Sequence, residues 1–223
     1  MKIAGDWLDH PGTQGLMQAL EAAGHRALLV GGCVRNALLG EPVNDADIAT
    51  DAPPETVSEI ALSAGFRPVP TGIDHGTVTV VAEGKPHEVT TFRRDVETDG
   101  RRAVVAFSSH IEEDAQRRDF TMNALYADRQ GQVVDPLNGL PDLLARRVRF
   151  VGDAETRIRE DYLRILRFFR FHAAYGDPDG GLDPEGLAAC AAFSAGLETI
   201  SRERTTAELR KLLSARDPAP AVA

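Results

Sequence analysis

Leu29-Val30-Gly31-Gly32-Cys33-Val34-Arg35-Asn36-Ala37-Leu38-Leu39-Gly40, followed after a short gap by Asn44-Asp45-Ala46-Asp47-Ile48-Ala49-Thr50, is the stretch that decides the fold. The apolar run Ala27-Leu28-Leu29-Val30 reads as a buried strand that runs into Gly31-Gly32. Val34, Leu38 and Leu39 then follow a helical spacing as far as Gly40, a residue suited to the left-handed turn that closes a helix. Asp45 to Ile48 reads as another short strand. A turn at Asp51-Ala52-Pro53-Pro54 and a helix through Val57, Ile60 and Ala61 come next, with Pro54 as first helical residue.

This order places bare glycine amides between a strand and a helix, where the backbone can approach a phosphate closely. Arg35, on the first turn of that helix, is within reach of a phosphate oxygen. Alternate residues of a strand share a face, so Asp45 and Asp47 are expected to point the same way. Two carboxylates held that close repel unless a cation sits between them, and hard oxygen ligands with positions left for water and phosphate suit magnesium. The bland alternatives are a simple turn and a strand end with two solvated acids, and either motif alone would be read that way.

Outward from this core, a helix over Thr13 to Ala23 is marked by Leu16, Ala19, Leu20 and Ala23, with Gly24 placed to end it. Thr77 to Val81 and His87 to Phe92 are rich in β-branched residues and are split by Glu83-Gly84-Lys85-Pro86, the pattern of a hairpin. Arg93 to Gly100 is charged and aperiodic and reads as a mobile loop. Ala103 to Phe107 and Val133-Val134-Asp135 read as strands, the latter ended by Pro136 and the Asn138-Gly139 turn. After Gly152 the character changes. Ile158, Tyr162, Ile165, Leu166 and Phe169 fall on one face of a single long helix, and the C-terminal third reads as helical, with a loop at Asp177 to Gly181. Asp217-Pro218-Ala219-Pro220 is expected to lie outside ordered structure.

Composition narrows the function. The 223 residues, 43% of them hydrophobic, suffice for one or two domains with a sizeable core. No run approaches a membrane span and the N-terminus lacks the layout of a signal peptide, so a cytoplasmic protein without a membrane partner is expected. Two cysteines, Cys33 and Cys190, are too few for a disulfide framework or a zinc cluster and read as small buried hydrophobes. A net charge of −9 weighs against a nucleic-acid partner, but residues 93–170 hold 15 Arg against 14 Asp and Glu. With only three Lys in the chain, any phosphate recognition there relies on planar, forked guanidinium groups. None of the six His is followed by Asp, so a phosphohydrolase built on a His-Asp ligand pair is disfavoured.

Five blocks in order carry a resemblance: the opening stretch through Thr50; Glu88-Val89-Thr90-Thr91-Phe92-Arg93; Arg117-Arg118-Asp119-Phe120-Thr121-Met122-Asn123-Ala124-Leu125; Asp135-Pro136-Leu137-Asn138-Gly139; and Glu160-Asp161-Tyr162-Leu163-Arg164-Ile165-Leu166-Arg167-Phe168-Phe169-Arg170-Phe171. Together they resemble the class II tRNA nucleotidyltransferase (CCA-adding enzyme) and bacterial poly(A) polymerase family over nearly the whole chain. The resemblance implies an α+β fold: residues 1–150 as a polymerase-β-like nucleotidyltransferase head with a small mixed sheet flanked by helices, and residues 151–223 as an all-helical neck and the start of a body. It implies Asp45, Asp47 and Glu88 as catalytic metal ligands for two Mg2+ ions. Gly31, Gly32, Arg35, Arg118, Asp119, Asn123, Asp161, Arg164, Arg167 and Arg170 fall at nucleotide-binding positions. Asn36 stands where the family more often has Asp and is not counted as a ligand. The implied reaction is addition of CCA, from CTP and ATP, to the 3′ end of tRNA or another RNA, with pyrophosphate leaving. Poly(A) synthesis, partial CC or A addition, and a noncatalytic nucleotide- or RNA-binding module are the alternatives.

Overall fold

A computed structural model of the protein describes residues 1–99 and 102–222. In chain order it contains α1 (Pro11–Ala22), β1 (Ala27–Val30), α2 (Gly32–Leu39), β2 (Ile48–Thr50), α3 (Pro54–Ser63), β3 (Arg67–Gly72), β4 (Thr77–Ala82), β5 (Lys85–Thr91), β6 (Arg93–Asp99), β7 (Arg102–Phe107), α4 (Ile111–Gln116), β8 (Tyr126–Ala127), β9 (Val133–Val134), α5 (Leu140–Leu144), α6 (Ala154–Glu160), α7 (Leu163–Tyr175), α8 (Pro184–Ala192), α9 (Arg202–Leu213) and α10 (Ala219–Val222). Two compact units are distinguished. One comprises Met1–Val96, Val105–Arg117 and Asn123–Asn138, the other Glu97–Val104, Arg118–Met122 and the chain from Gly139 onward.

The first unit is built on a seven-stranded sheet in the order β3-β4-β5-β2-β1-β8-β9. Only β2 and β5 run parallel; the other five neighbouring pairs are antiparallel. Alternation along β4 buries Val78, Val80 and Ala82 on one face, as a half-buried strand requires. Helices α1 and α3 pack on this part of the sheet, and Leu16, Met17, Leu20 and Val57 are fully buried. At roughly 1.5–3 kcal/mol for each large apolar side chain removed from water, these contacts fix which face of the sheet is closed. Gly12 lies against the Ala82 backbone, where a Cβ would collide with the carbonyl.

The second unit is centred on aromatic rings. Phe120 lies 5.0 Å from both Phe150 and Phe171, and Phe150 stacks on Phe168 at 5.5 Å. Such pairs add about 0.5–1.5 kcal/mol each to simple burial. The helices are capped from the sequence: Asp153 Oδ2 accepts from Thr156 N at 2.7 Å, and Asp183 Oδ2 from Gly186 N at 3.0 Å. Among the described residues no helix is long and apolar enough to cross a membrane.

Several sequence expectations change. The helix expected over Thr13 to Ala23 begins two residues earlier, because Pro11 occupies its first turn and the His10 ring accepts from Gly12 N at 3.1 Å. The strand expected from Asp45 begins only at Ile48, the first residue of that segment with paired ladder neighbours on both sides. The loop expected from Arg93 is strand β6 through Asp99, paired with β7 in a separate two-stranded sheet; Gly100 lies outside the described residues. A two-stranded ribbon is held by backbone hydrogen bonds, which side-chain periodicity does not report. The single helix expected after Gly152 is two, broken at Asp161, whose extended backbone (φ −157°, ψ 105°) ends α6. The break turns Leu163, Ile165, Phe168 and Phe171 inward on α7 and leaves Leu166 and Phe169 half-exposed. The tail expected beyond Asp217 carries α10, which buries Ala221.

Candidate active site

Gly31 ends β1 with φ 70° and ψ −115°, a backbone conformation open to glycine and strained for other residues. Its N–H donates to the Leu125 carbonyl at 3.0 Å, and its carbonyl accepts from Arg35 N at 2.9 Å, so the turn is anchored on the residue entering β8 and on α2 together. A Cβ on Gly32 would meet only the end of the Arg35 side chain, at 3.8 Å. The outer side of this turn is therefore open for a ligand at the N-terminus of an eight-residue helix.

Arg35 does not reach outward. It is 7% exposed, with Nη1 donating to Asn123 Oδ1 at 2.6 Å and with Nε and Nη2 donating to Asn36 Oδ1 at 3.1 and 2.9 Å. Arg35 and Asn123, 88 residues apart in the chain, are thus brought together. Asn36, set aside as a ligand in the sequence, forms part of this arrangement.

Asp45 and Asp47 lie in the segment entering β2. Although the strand proper begins after them, burial already alternates: Asp45 exposed, Ala46 buried, Asp47 half-buried, Ile48 buried. Both carboxylates therefore lie on the face opposite Ala46 and Ile48, as strand alternation demands. Val30 N donates to the Asp47 carbonyl at 3.0 Å, extending the ladder one residue past β2. In the parallel β2–β5 register Ile48 pairs with Val89; one step earlier, Asp47 lies level with Glu88. Val89 is buried and Glu88 exposed, so Glu88 shares the face of the two aspartates. Among the described residues no three His, Cys, Asp or Glu side chains are gathered into a metal-holding group, so the three carboxylates share a face without closing on one point. Cys33 lies beneath Asp47; burial and the charge of Asp47 push its thiol up to about 11, and burial pushes Cys190 up to about 12, so neither thiol is reactive near neutrality.

Within the second unit Asp119, Asp161, Arg164, Arg167 and Arg170 sit in ion pairs. Arg167 donates to Asp119 Oδ2 from both Nε, at 2.8 Å, and Nη2. Burial opposes the Arg167 charge, but the attraction and hydrogen bonds of Asp119 outweigh it and hold its pKa above the ordinary value. Arg170 pairs with Glu208, which is 4% exposed on α9. Arg164 donates to the Glu160 carboxylate and to the Arg157 carbonyl at 2.8 Å, while Arg157 binds the same Glu160 oxygen at 2.6 Å. The Arg118 carbonyl accepts from Arg157 Nη2 at 3.1 Å. Asp161, expected on one helix with Arg164, instead occupies the break between α6 and α7. Its Oδ1 accepts from Leu163 N at 3.1 Å and its Oδ2 from Arg204 Nη2 at 2.7 Å. Glu160 adjoins Asp161 in the fifth block and was visible there as a neighbouring acid. Arg204 and Glu208 carried no local signal, because only the packing of α9 on α7 brings them in. A cavity of about 410 Å³ in this unit is lined by Arg146, Arg147, Asp177 and Asp183 among others, and by none of the candidate residues.

Comparison with known proteins places the chain in a family. Residues 27–149 match the family model of the poly A polymerase head domain. The chain is 43% identical over 203 residues to human mitochondrial CCA tRNA nucleotidyltransferase 1, covering 91% of this chain and 47% of the human protein. It is 46% identical over 202 residues to a Streptococcus pyogenes CCA-adding enzyme, covering 90% of this chain and 48% of that one. The crystal structure of the Bacillus stearothermophilus CCA-adding enzyme in complex with CTP superposes with a TM-score of 0.84 at 41% identity, over 94% of this chain and 50% of that one. The chain thus spans about half the length of the relatives it matches.

Proposed function

The chain belongs to the nucleotidyltransferase family of poly(A) polymerase head domains and CCA-adding enzymes, and on that footing we propose that it adds CCA, from CTP and ATP, to the 3′ end of tRNA without a template. The observation that carries this reading is the register that sets Asp45, Asp47 and Glu88 on one face of the sheet, in the same unit as the open glycine turn ahead of α2. On this reading residues 1–150 are the head and residues 151–223 the helical neck and start of a body, a functional division distinct from the two compact units.

The donor set suits a hard dication. Asp45 and Asp47 offer carboxylate oxygens on one face, and one or two carboxylates suffice for magnesium, which takes its other ligands from phosphate and water. Asp45, Asp47 and Glu88 would hold two such ions, which supply charge stabilisation at the attacking and leaving oxygens of an in-line displacement. The chain's own residues position and neutralise. The Gly31-Gly32 turn admits the triphosphate to the amides of α2, with Arg35 behind it. Asp161 and Arg164 read the base, a carboxylate accepting from the exocyclic amino group of C or A and a guanidinium donating to ring acceptors. Arg118, Asp119, Asn123, Arg167 and Arg170 complete the nucleotide contacts. Incubation with tRNA lacking its 3′ end, magnesium and each labelled nucleotide, followed by product sequencing, tests the proposal. CCA ends are the expected product; extended A tails would instead assign a poly(A) polymerase, and absence of any transfer would leave a binding module.

A further inference from the structure

The break between α6 and α7 is met on both sides by the turn that follows α8, the 3₁₀ segment Ser194–Thr199 with the residue before it. On the α6 side the Arg159 guanidinium lies over the Phe193 ring, 4.5 Å from its centroid. On the α7 side Tyr162, the N-cap residue, lays its ring against Gly196. A Cβ on Gly196 would overlap Cγ, Cδ1 and Cε1 of that ring. The Gly196 backbone is not left-handed, so glycine is needed here for space alone. Asp161 lies between Arg159 and Tyr162, and therefore between the two contacts. Gly196 is itself fixed: its N–H donates to the Phe193 carbonyl at 2.9 Å, and its carbonyl accepts from Thr199 Oγ1 at 2.7 Å.

We propose that residues 193–196 splint the break at Asp161 and that Gly196 is a positioning residue for base selection, its bare Cα letting the Tyr162 ring lie where Asp161 and Arg164 keep their reading geometry. The inference rests on the proposed function for the roles of Asp161 and Arg164, whereas the contacts that carry it belong to residues 159, 162, 193 and 196. A side chain at position 196 is not accommodated by turning the Tyr162 ring. Rotation about the ring axis moves Cδ1 and Cε1 but leaves Cγ in place, so the N-cap residue itself must shift. Asp161 is its chain neighbour, and the Asp161 carbonyl accepts from Arg164 N at 3.0 Å, so such a shift reaches both readers together. A misplacement of about 1 Å can cost about a hundredfold where geometry sets the rate. Arg204 holds only Oδ2 of the Asp161 carboxylate and none of this backbone.

The test uses the full chain with tRNA lacking its 3′ end, and reads kcat/KM for CTP divided by kcat/KM for UTP, with a melting curve for each variant. Gly196→Ala should lower this ratio about tenfold. Gly186→Ala, which sets a Cβ against the Phe168 ring in the same unit, should lower the melting temperature and leave the ratio unchanged, because destabilisation alone removes active protein for both nucleotides equally. In Tyr162→Ala the obstructed ring is gone, so adding Gly196→Ala should change the ratio by less than about twofold. Phe193→Leu introduces no clash and should lower the ratio about threefold, the scale of one cation–π contact, and it carries the test alone if Gly196→Ala does not fold. An unchanged ratio in folded Gly196→Ala or in Phe193→Leu, an equal drop in Gly186→Ala, or a Gly196→Ala effect that persists in full without the Tyr162 ring overturns the proposal. A wild-type ratio in Asp161→Ala, or no transfer by wild type, overturns the proposed function beneath it and is recognised without reference to position 196.

Discussion

His87 and Ala46, the residue that separates the two candidate metal-binding aspartates, are joined by a hydrogen bond of 3.3 Å from ring Nδ1 to the carbonyl oxygen. The ring is 3% exposed, and burial holds its pKa below the ordinary histidine value despite the opposing pull of the Ala46 carbonyl. Because a carbonyl cannot donate, the neutral ring carries its proton on Nδ1. Nε2 is buried with no hydrogen-bond partner. His87→Phe keeps a ring of similar size and loses the bond. Transfer should slow about tenfold in kcat with a smaller change in KM, as expected for loss of a group that orients a ligand-bearing segment. Melting should change little, since the unpartnered nitrogen goes with the bond. An unchanged kcat would show that Ala46 is held without the ring.

Asp45→Asn and Asp47→Asn should each abolish nucleotide addition and leave the fold intact. Each removes charge from a pair that repels itself, so the melting temperature in the absence of metal should equal or exceed that of wild type. Near-normal turnover of either variant with magnesium would sink the assignment.

Asp161→Ala should relax discrimination against UTP and GTP and reduce use of CTP and ATP. The wrong bases reverse the donor and acceptor pattern and leave paired groups unmatched, at about 1–3 kcal/mol per group. The Asp161–Arg204 pair allows a control, because Arg204 is substantially exposed and its loss should cost only about 0–1 kcal/mol of stability. Arg204→Ala should therefore leave base selectivity in place. Equal selectivity in Asp161→Ala, Arg164→Ala and wild type would reduce both residues to structural ion pairs.

His172, buried on α7, has its pKa lowered by burial, with Asp177 acting in the opposite direction. The unfolded chain therefore binds this proton first as pH falls from the ordinary value of 6.5. Stability tied to His172 is complete above that value and is lost as pH drops through the lower, folded-state pKa. Melting temperatures measured from pH 7.5 downward should fall less steeply in His172→Gln than in wild type. Parallel curves would place the acid sensitivity elsewhere; His87, lowered in the same direction, is the next histidine to test.

Much of the candidate site's geometry was legible because its signals are local. Gly31-Gly32 between an apolar run and a helical period, and Asp45 and Asp47 at an alternating spacing, needed no distant partner to be read. Glu88 entered by resemblance, since its level with Asp47 depends on the parallel pairing of two strands about forty residues apart in the chain. The break at Asp161 was hidden because apolar residues on either side continue a helical period in the sequence although the backbone does not. Asn36 was weighed only for its missing charge, whereas its amide accepts from Arg35 and donates to the Pro42 carbonyl. Glu208 and Arg204 were beyond reach until α9 was seen against α7.

The parallel β2–β5 pair has a consequence for how the protein is made. Neighbouring parallel strands need a long connection, and here α3, β3 and β4 all intervene before Glu88 can come level with Asp47. The loop-closure entropy of that excursion is met before any contact across the carboxylates forms, which is the kind of distant pairing that slows folding. A nascent chain released only as far as β4 would carry the glycine turn and both aspartates without their neighbour strand. Competence to bind metal should therefore appear in one step on the ribosome, when β5 emerges, and a nick between α3 and β4 should abolish it while sparing the helices of the second unit.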